Sequence, residues 1–172
     1  PLNWKTLIIL YGLFIPSLLV LFFINPLLAM SIWFGNYELE AINAKGKTSM
    51  TGSLDIMVTR IFDDGIVGEM PVDHRTKQPF GLLHGGASCV LAESLGSIAS
   101  NMIIDSEKFA AVGQSINANH IKSARDGVVK GVCKAIHIGS KSHVWEINIY
   151  NSNDDLVCVS RFTTAVIEKR NS

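Results

Sequence analysis

The longest regular pattern in the chain follows two adjacent glycines. After Gly85-Gly86, the apolar residues Ala87, Leu91, Leu95, Ile98 and Met102 recur at steps of three or four, which predicts a helix with one apolar stripe. Its second face, Gly86, Val90, Glu93 and Ser97, is small and carries a single charge. Such a helix is expected to be covered by protein on nearly all sides, with Glu93 partly buried. Between Lys77 and Asp105, Glu93 is the only formally charged residue, and no Lys or Arg lies within a turn or two to pair with it. An unpaired carboxylate is costly to desolvate, so one in this setting points to chemistry.

Around that helix the pattern reads as strands. Residues 54–61 and 66–72 are apolar-rich and joined by Asp63-Asp64-Gly65, a hairpin turn signal. Four further strands are predicted over 111–120, 127–138, 142–150 and 156–167, separated by turn residues at Arg125-Asp126-Gly127, Gly139-Ser140 and 151–155. A short amphipathic helix is predicted over 38–47, stopped by Gly46, and a loop over 73–83 carries Gln78 into the central helix. One long helix among six tightly connected strands implies an α+β fold, an antiparallel sheet wrapped around that helix.

Composition narrows the function. Lys+Arg and Asp+Glu are equal at 15 each, so nothing global suggests nucleic acid as a partner, and any anion site must be local. The three cysteines, Cys89, Cys133 and Cys158, show no metal-ligand spacing and read as free thiols of a reducing compartment. No metal or cofactor is implied. His74, His137 and His143 have no partner spacing and receive no role.

The run HGGASCVLAES from His84, preceded by Gln78-Pro79-Phe80-Gly81, resembles the hotdog-fold acyl-CoA thioesterases, in particular the branch acting on hydroxybenzoyl-CoA and 1,4-dihydroxy-2-naphthoyl-CoA. The similarity continues in order through MPVDHRTKQPFG, INANHIKSARDG, VCKAIHIGS and SRFTTAVIE, covering about 31–168. It implies a hotdog fold of five to six strands around one central helix, an acyl-CoA substrate and a homodimer with shared active sites, itself paired into a dimer of dimers.

Thioester hydrolysis needs carbonyl polarisation and a nucleophile, because a thiolate with a pKa near ~8.5 leaves without a dedicated acid. At a helix start, the Gly85 N–H can receive an oxygen carrying developing charge, and Gly86 beside it lets substrate approach the backbone. The Gln78 side chain is a second candidate donor. Glu93 can attack the carbonyl or activate a water. The resemblance gives the matching glutamate that role and draws the glutamine and His-Gly from the partner subunit. His84 reads as an orienting residue able to fix the Gln78 loop, and Ser97, one turn beyond Glu93, can hold the carboxylate or the water. By resemblance, His120 lies near the acyl pocket, while Lys122, Arg125, Gly139, Ser140 and Lys141 match nucleotide contacts for the coenzyme A phosphates. Lys122 stands where relatives often have Arg, which keeps the charge and loses bidentate geometry.

Residues 1–29 form a separate unit, ahead of a 30–172 thioesterase domain. There is no charged residue between Lys5 and Glu38, and the stretch is apolar enough to span a bilayer despite Pro16 and Pro26. Three readings stay open: a membrane anchor over 7–29, a signal sequence, or translated sequence upstream of a start at Met30. As a signal sequence it lacks a convincing cleavage site. As an anchor, Lys5 on one side and Glu38 and Glu40 on the other would place the domain outside the cytoplasm, whereas coenzyme A esters are cytoplasmic.

Three rival functions share these features. A hotdog hydroxyacyl dehydratase would carry a proline-rich motif where this chain has HGGASC. A noncatalytic acyl-CoA-binding regulator would lack the helix glutamate that Glu93 supplies. A membrane-tethered interaction domain would depend wholly on the first segment.

Overall fold

The computed structural model describes residues 31–169; the apolar segment over 1–29, with its possible membrane role, lies outside them. Among the described residues no helix is long and apolar enough to cross a membrane.

Two short helices open the described chain, α1 (Leu39–Gly46) and α2 (Met50–Ser53). The hairpin β1 (Met57–Phe62) and β2 (Gly65–Pro71) follows, then the long helix α3 (Gly85–Ile103). Strands β3 (Phe109–His120), β4 (Val128–Ile138), β5 (Ser142–Tyr150) and β6 (Leu156–Glu168) complete the fold. The six strands form one sheet in the order β1-β2-β4-β5-β6-β3 with every neighbouring pair antiparallel. The first strand begins three residues later than its apolar pattern predicts, because Asp55 adopts a positive φ of 51° and ends α2 in a turn.

The sheet closes on α3 through its apolar inner face. Along β5, His143, Trp145, Ile147 and Ile149 are buried at every second position, the alternation expected of a strand with one face on the core. Gly68 and Gly131 are direct cross-strand partners. A Cβ on either would stand 2.5 Å or 2.7 Å from a Leu95 methyl, so this bare patch of sheet is what lets the helix come close. The buried face of α3 is Ser88, Leu91, Ala92, Leu95, Gly96, Ala99, Ser100 and Met102. That face is rotated from the expected stripe, since Ala87 and Ile98 are only half-buried. Small residues face the sheet and Ile98 turns toward an open pocket. Inside the core, the Trp145 indole N–H donates to Ser100 Oγ at 2.7 Å, and Ser100 Oγ lies 2.9 Å from Thr164 Oγ1.

The two edges of the sheet differ. On β1 the Asn43 side-chain amide takes the place of a neighbouring strand, accepting from Val58 N at 2.8 Å and donating to Val58 O at 2.9 Å. The Trp33 indole N–H donates to Phe62 O at 2.8 Å farther along the same edge. On β3 the Asn101 amide does likewise for Ala111, with both bonds at 3.0 Å. Beyond that point β3 is open: Val112, Gly113, Gln114, Ser115, Asn117, Asn119 and His120 are all exposed.

Candidate active site

The start of α3 is built by His84. It is the N-cap, with extended backbone (φ −69°, ψ 132°), and its Nδ1 accepts from Gly86 N at 2.8 Å, consuming one of the N–H groups that a helix start leaves unpaired. Ala87 N and Ser88 N both donate to His84 O. Among the described residues the Gly85 N–H has no partner, so it is the free donor at the positive end of the helix. The expected link from His84 to the Gln78 loop is made by the backbone instead of the ring, His84 N donating to Thr76 O at 2.8 Å.

Gln78 is held by its own backbone, its N–H donating to Leu82 O and its carbonyl accepting from Gly81 N, while its side-chain Oε1 accepts from Phe80 N. That leaves the Gln78 amide nitrogen available as a donor. Gln78, Gly85, His120 and Lys122 line one pocket of ≈ 320 Å³ together with Ser88 and Val157. His120 packs directly on the helix start, since a Cβ at Gly85 would lie 2.6 Å from its Nε2. Glycine is required there for the imidazole and the free N–H to share one wall.

Glu93 and Ser97 line a different pocket, ≈ 370 Å³, with Met50, Thr51, Val90 and Ile98. Contrary to the expected partial burial, Glu93 is exposed in the single chain, because among the described residues the pocket that it lines stays open. Ser97 is half-buried beside it and makes no hydrogen bond to the carboxylate. Cys89, the other nucleophile type nearby, is disfavoured as one. Burial and the neighbouring Glu93 charge push its thiol up, away from the thiolate that would react.

The structure therefore divides the expected catalytic residues into two half-sites. Gly85 and Glu93 are eight residues apart on one helix, about 12 Å at 1.5 Å per residue, and the Gly85 N–H points out of the helix end away from Glu93. A single carbonyl cannot meet both within one chain.

The expected phosphate contacts also separate. Lys122 is ion-paired to Asp155 at 2.6 Å, and Arg125 is exposed nearby. Gly139, Ser140 and Lys141 form the turn at the far end of β4, whose eleven residues span roughly 33 Å. One chain does not bring these groups into one basic edge. Sequence reasoning missed Gly113, against which Glu93 rests: a Cβ there would lie 2.8 Å from Glu93 Oε1. A glycine inside a strand was the available signal.

Comparisons with known proteins identify the fold and the activity class. Residues 80–158 match the model of the Thioesterase superfamily. The chain is 54% identical over 136 residues to the 1,4-dihydroxy-2-naphthoyl-CoA hydrolase of Escherichia coli (strain K12), covering 79% of this chain and 99% of that protein. The chain belongs to the thioesterase superfamily. The hotdog fold and the hydrolase class expected from its motifs are thus both shown. It is also 45% identical over 136 residues to the proofreading thioesterase EntH of Cronobacter sakazakii, covering 79% of this chain and 98% of that one. A crystal structure of a mutant Pseudomonas aeruginosa thioesterase matches with a TM-score of 0.80 and 44% identity, over 81% of this chain and 100% of that one. A free N–H at a helix start and a carboxylate are, by their chemistry, able to polarise a carbonyl and to act as nucleophile or base.

Proposed function

We propose that this thioesterase hydrolyses an aromatic acyl-CoA, such as the 1,4-dihydroxy-2-naphthoyl-CoA of menaquinone biosynthesis, in the cytoplasm, at sites shared between two copies of the chain. The observation that carries the shared site is the division of Gly85 and Glu93 between two pockets of one chain. The 54% identity to the E. coli 1,4-dihydroxy-2-naphthoyl-CoA hydrolase supports the substrate.

The open edge of β3 supplies the means of pairing. If two copies join antiparallel across the exposed stretch 112–120, the two-fold axis falls near Ile116 and sets Val112 opposite the partner's His120. Glu93 rests on Gly113, next to Val112, and His120 packs on Gly85. The pairing thus carries the Glu93 pocket of one copy to the Gly85 pocket of the other and covers the bare face of α3. In the shared site the Gly85 N–H, with the Gln78 amide, takes the developing oxyanion. Glu93 either attacks the carbonyl carbon to give a mixed anhydride, expelling coenzyme A as thiolate, or takes a proton from the attacking water. Ser97 hydrogen-bonds the carboxylate or that water, and His84 holds the helix start rigid. Lys122 and Arg125 of one copy, with the Gly139-Ser140-Lys141 turn of another, meet the nucleotide phosphates in a dimer of dimers.

A panel of aromatic, short-chain and long-chain acyl-CoA esters with free thiol as the readout tests this reading, run on the wild type and on Glu93→Gln. Aromatic esters should be turned over fastest, and Glu93→Gln should fall below about a tenth of wild type. A variant that keeps more than that removes Glu93 from the chemistry.

A further inference from the structure

The Glu93 pocket does not end at Glu93. Thr51, Ser97 and Ile98 also line a second cavity of ≈ 280 Å³ that runs between α1 and α3, past Tyr37, Ile42 and Met102. The two cavities thus share a wall of three residues, with the carboxylate at one end and α1 at the other. Ile42, Ile98 and Met102 make the inner cavity mainly apolar.

Besides the exposed Lys45 at its border, its polar side chains fall into two kinds. Asn43 and Asn101 border it, but both amides are committed to backbone, Asn43 to Val58 and Asn101 to Ser97 and Ala111. The hydroxyls of Tyr37, Thr51 and Ser97 have no hydrogen-bond partner among the described residues. Burial pushes the half-buried Tyr37 phenol up, so it stays an O–H donor. Apolar walls with a few unpaired hydroxyls suit a flat ring system that carries hydroxyl groups of its own. A hydrocarbon tail pushed into the same space would strip water from those hydroxyls and give nothing back.

We infer that the cavity between α1 and α3 receives the aromatic ring system of the acyl group, and that the Tyr37 hydroxyl selects there for a ring hydroxyl, such as the one on C4 across the ring from the thioester. This rests on the proposed role of Glu93, which fixes where the thioester lies. Discrimination follows from the cost of leaving a buried hydroxyl unpaired: a site that hydrogen-bonds a substrate hydroxyl rejects the analogue without one far better than an apolar pocket rejects an extra methylene.

The experiment compares 1,4-dihydroxy-2-naphthoyl-CoA with 2-naphthoyl-CoA on the wild type and on Tyr37→Phe, and measures binding of the free acid 1,4-dihydroxy-2-naphthoate to both proteins by calorimetry. The wild type should favour the hydroxylated ester. Tyr37→Phe should lower kcat/KM for that ester about tenfold, mainly through KM, and leave 2-naphthoyl-CoA within about twofold. The free acid should bind Tyr37→Phe about tenfold more weakly. An equal effect on both esters, no effect on either, or a wild type that shows no preference for the hydroxylated ring in turnover or binding would overturn the inference. The binding measurement needs no turnover, so it keeps the subsite test separate: active Glu93→Gln overturns the mechanism, while unaltered acid binding by Tyr37→Phe overturns the subsite.

Discussion

The Glu93 carboxylate rests against the backbone of Gly113, so closely that a methyl group on that Cα would stand 2.8 Å from Glu93 Oε1 and 3.3 Å from Phe162 Cζ. Helix α3 and the open strand β3 meet at this point, and β3 is bulged there, its register shifting between Gly113 and Ser115.

Gly113→Ala should therefore fold, because the atom it crowds is the far end of a flexible side chain, but it should displace the carboxylate. A misplacement on the order of 1 Å can cost about 10² in rate. The expected outcome is a kcat lowered ten- to hundredfold, with KM and the thermal midpoint little changed. Steady-state kinetics beside a melting curve check it, and an unchanged kcat would remove Gly113 as a seat for the carboxylate.

The shared site is testable by mixing. Glu93→Ala and Gln78→Ala homodimers should each be impaired at both sites. Refolding them together makes heterodimers in which one site carries both substitutions and the other carries neither. Random pairing gives half heterodimers with one intact site each, so activity should return to roughly a quarter of wild type above the residual activity of Gln78→Ala. If mass spectrometry shows exchange and activity stays at background, both residues act within one chain.

Much of this arrangement was legible in the sequence. The six strands, the long helix and its glycine entry follow from period-two and period-3.6 patterns and from turn residues such as Asp63-Asp64-Gly65. Less legible was which helix face would be covered. The small residues Ala92, Gly96 and Ala99 read as neutral along the chain, yet they are the ones pressed on the sheet, and Glu93 is left exposed. A pattern within one chain also carries no record of a second copy, so the expected burial of Glu93 fails for the single chain. Lys122 and Lys141 were grouped by resemblance, while the length of β4 holds their turns apart.

The burial of His143 predicts a pH dependence of stability. This histidine is buried on the inner face, its Nδ1 has no partner among the described residues, and burial first, then His137, pushes its pKa down against a bond to the Gly139 backbone. With the folded value below the unfolded one near ~6.5, the stabilisation is fully present above the unfolded value. It is lost as pH falls through the folded value. The wild-type melting temperature should drop between about pH 7 and pH 5, and His143→Phe should flatten that drop. Parallel slopes in the two proteins would contradict the assignment.

Ser100 joins Trp145 and Thr164 in the core. Ser100→Ala leaves the indole N–H and the threonine hydroxyl unpaired in a buried place, at about 1–3 kcal/mol. A chain of this length should lose several degrees in thermal midpoint. A change under one degree would mean that water replaces the hydroxyl.

The two sheet edges set a limit on growth. The β1 edge is closed at both ends, by Asn43 on Val58 and by Trp33 on Phe62, so an incoming strand finds its hydrogen-bonding positions already taken. Among the described residues the β3 edge is sealed only at Ala111, by Asn101. Joining two β3 edges uses the open edge of both copies and leaves a twelve-stranded sheet bounded on each side by a sealed β1. In such a pair the Asn43 amide and the Trp33 indole of each copy would act as terminators, and strand addition would stop at two chains instead of running on into a fibre.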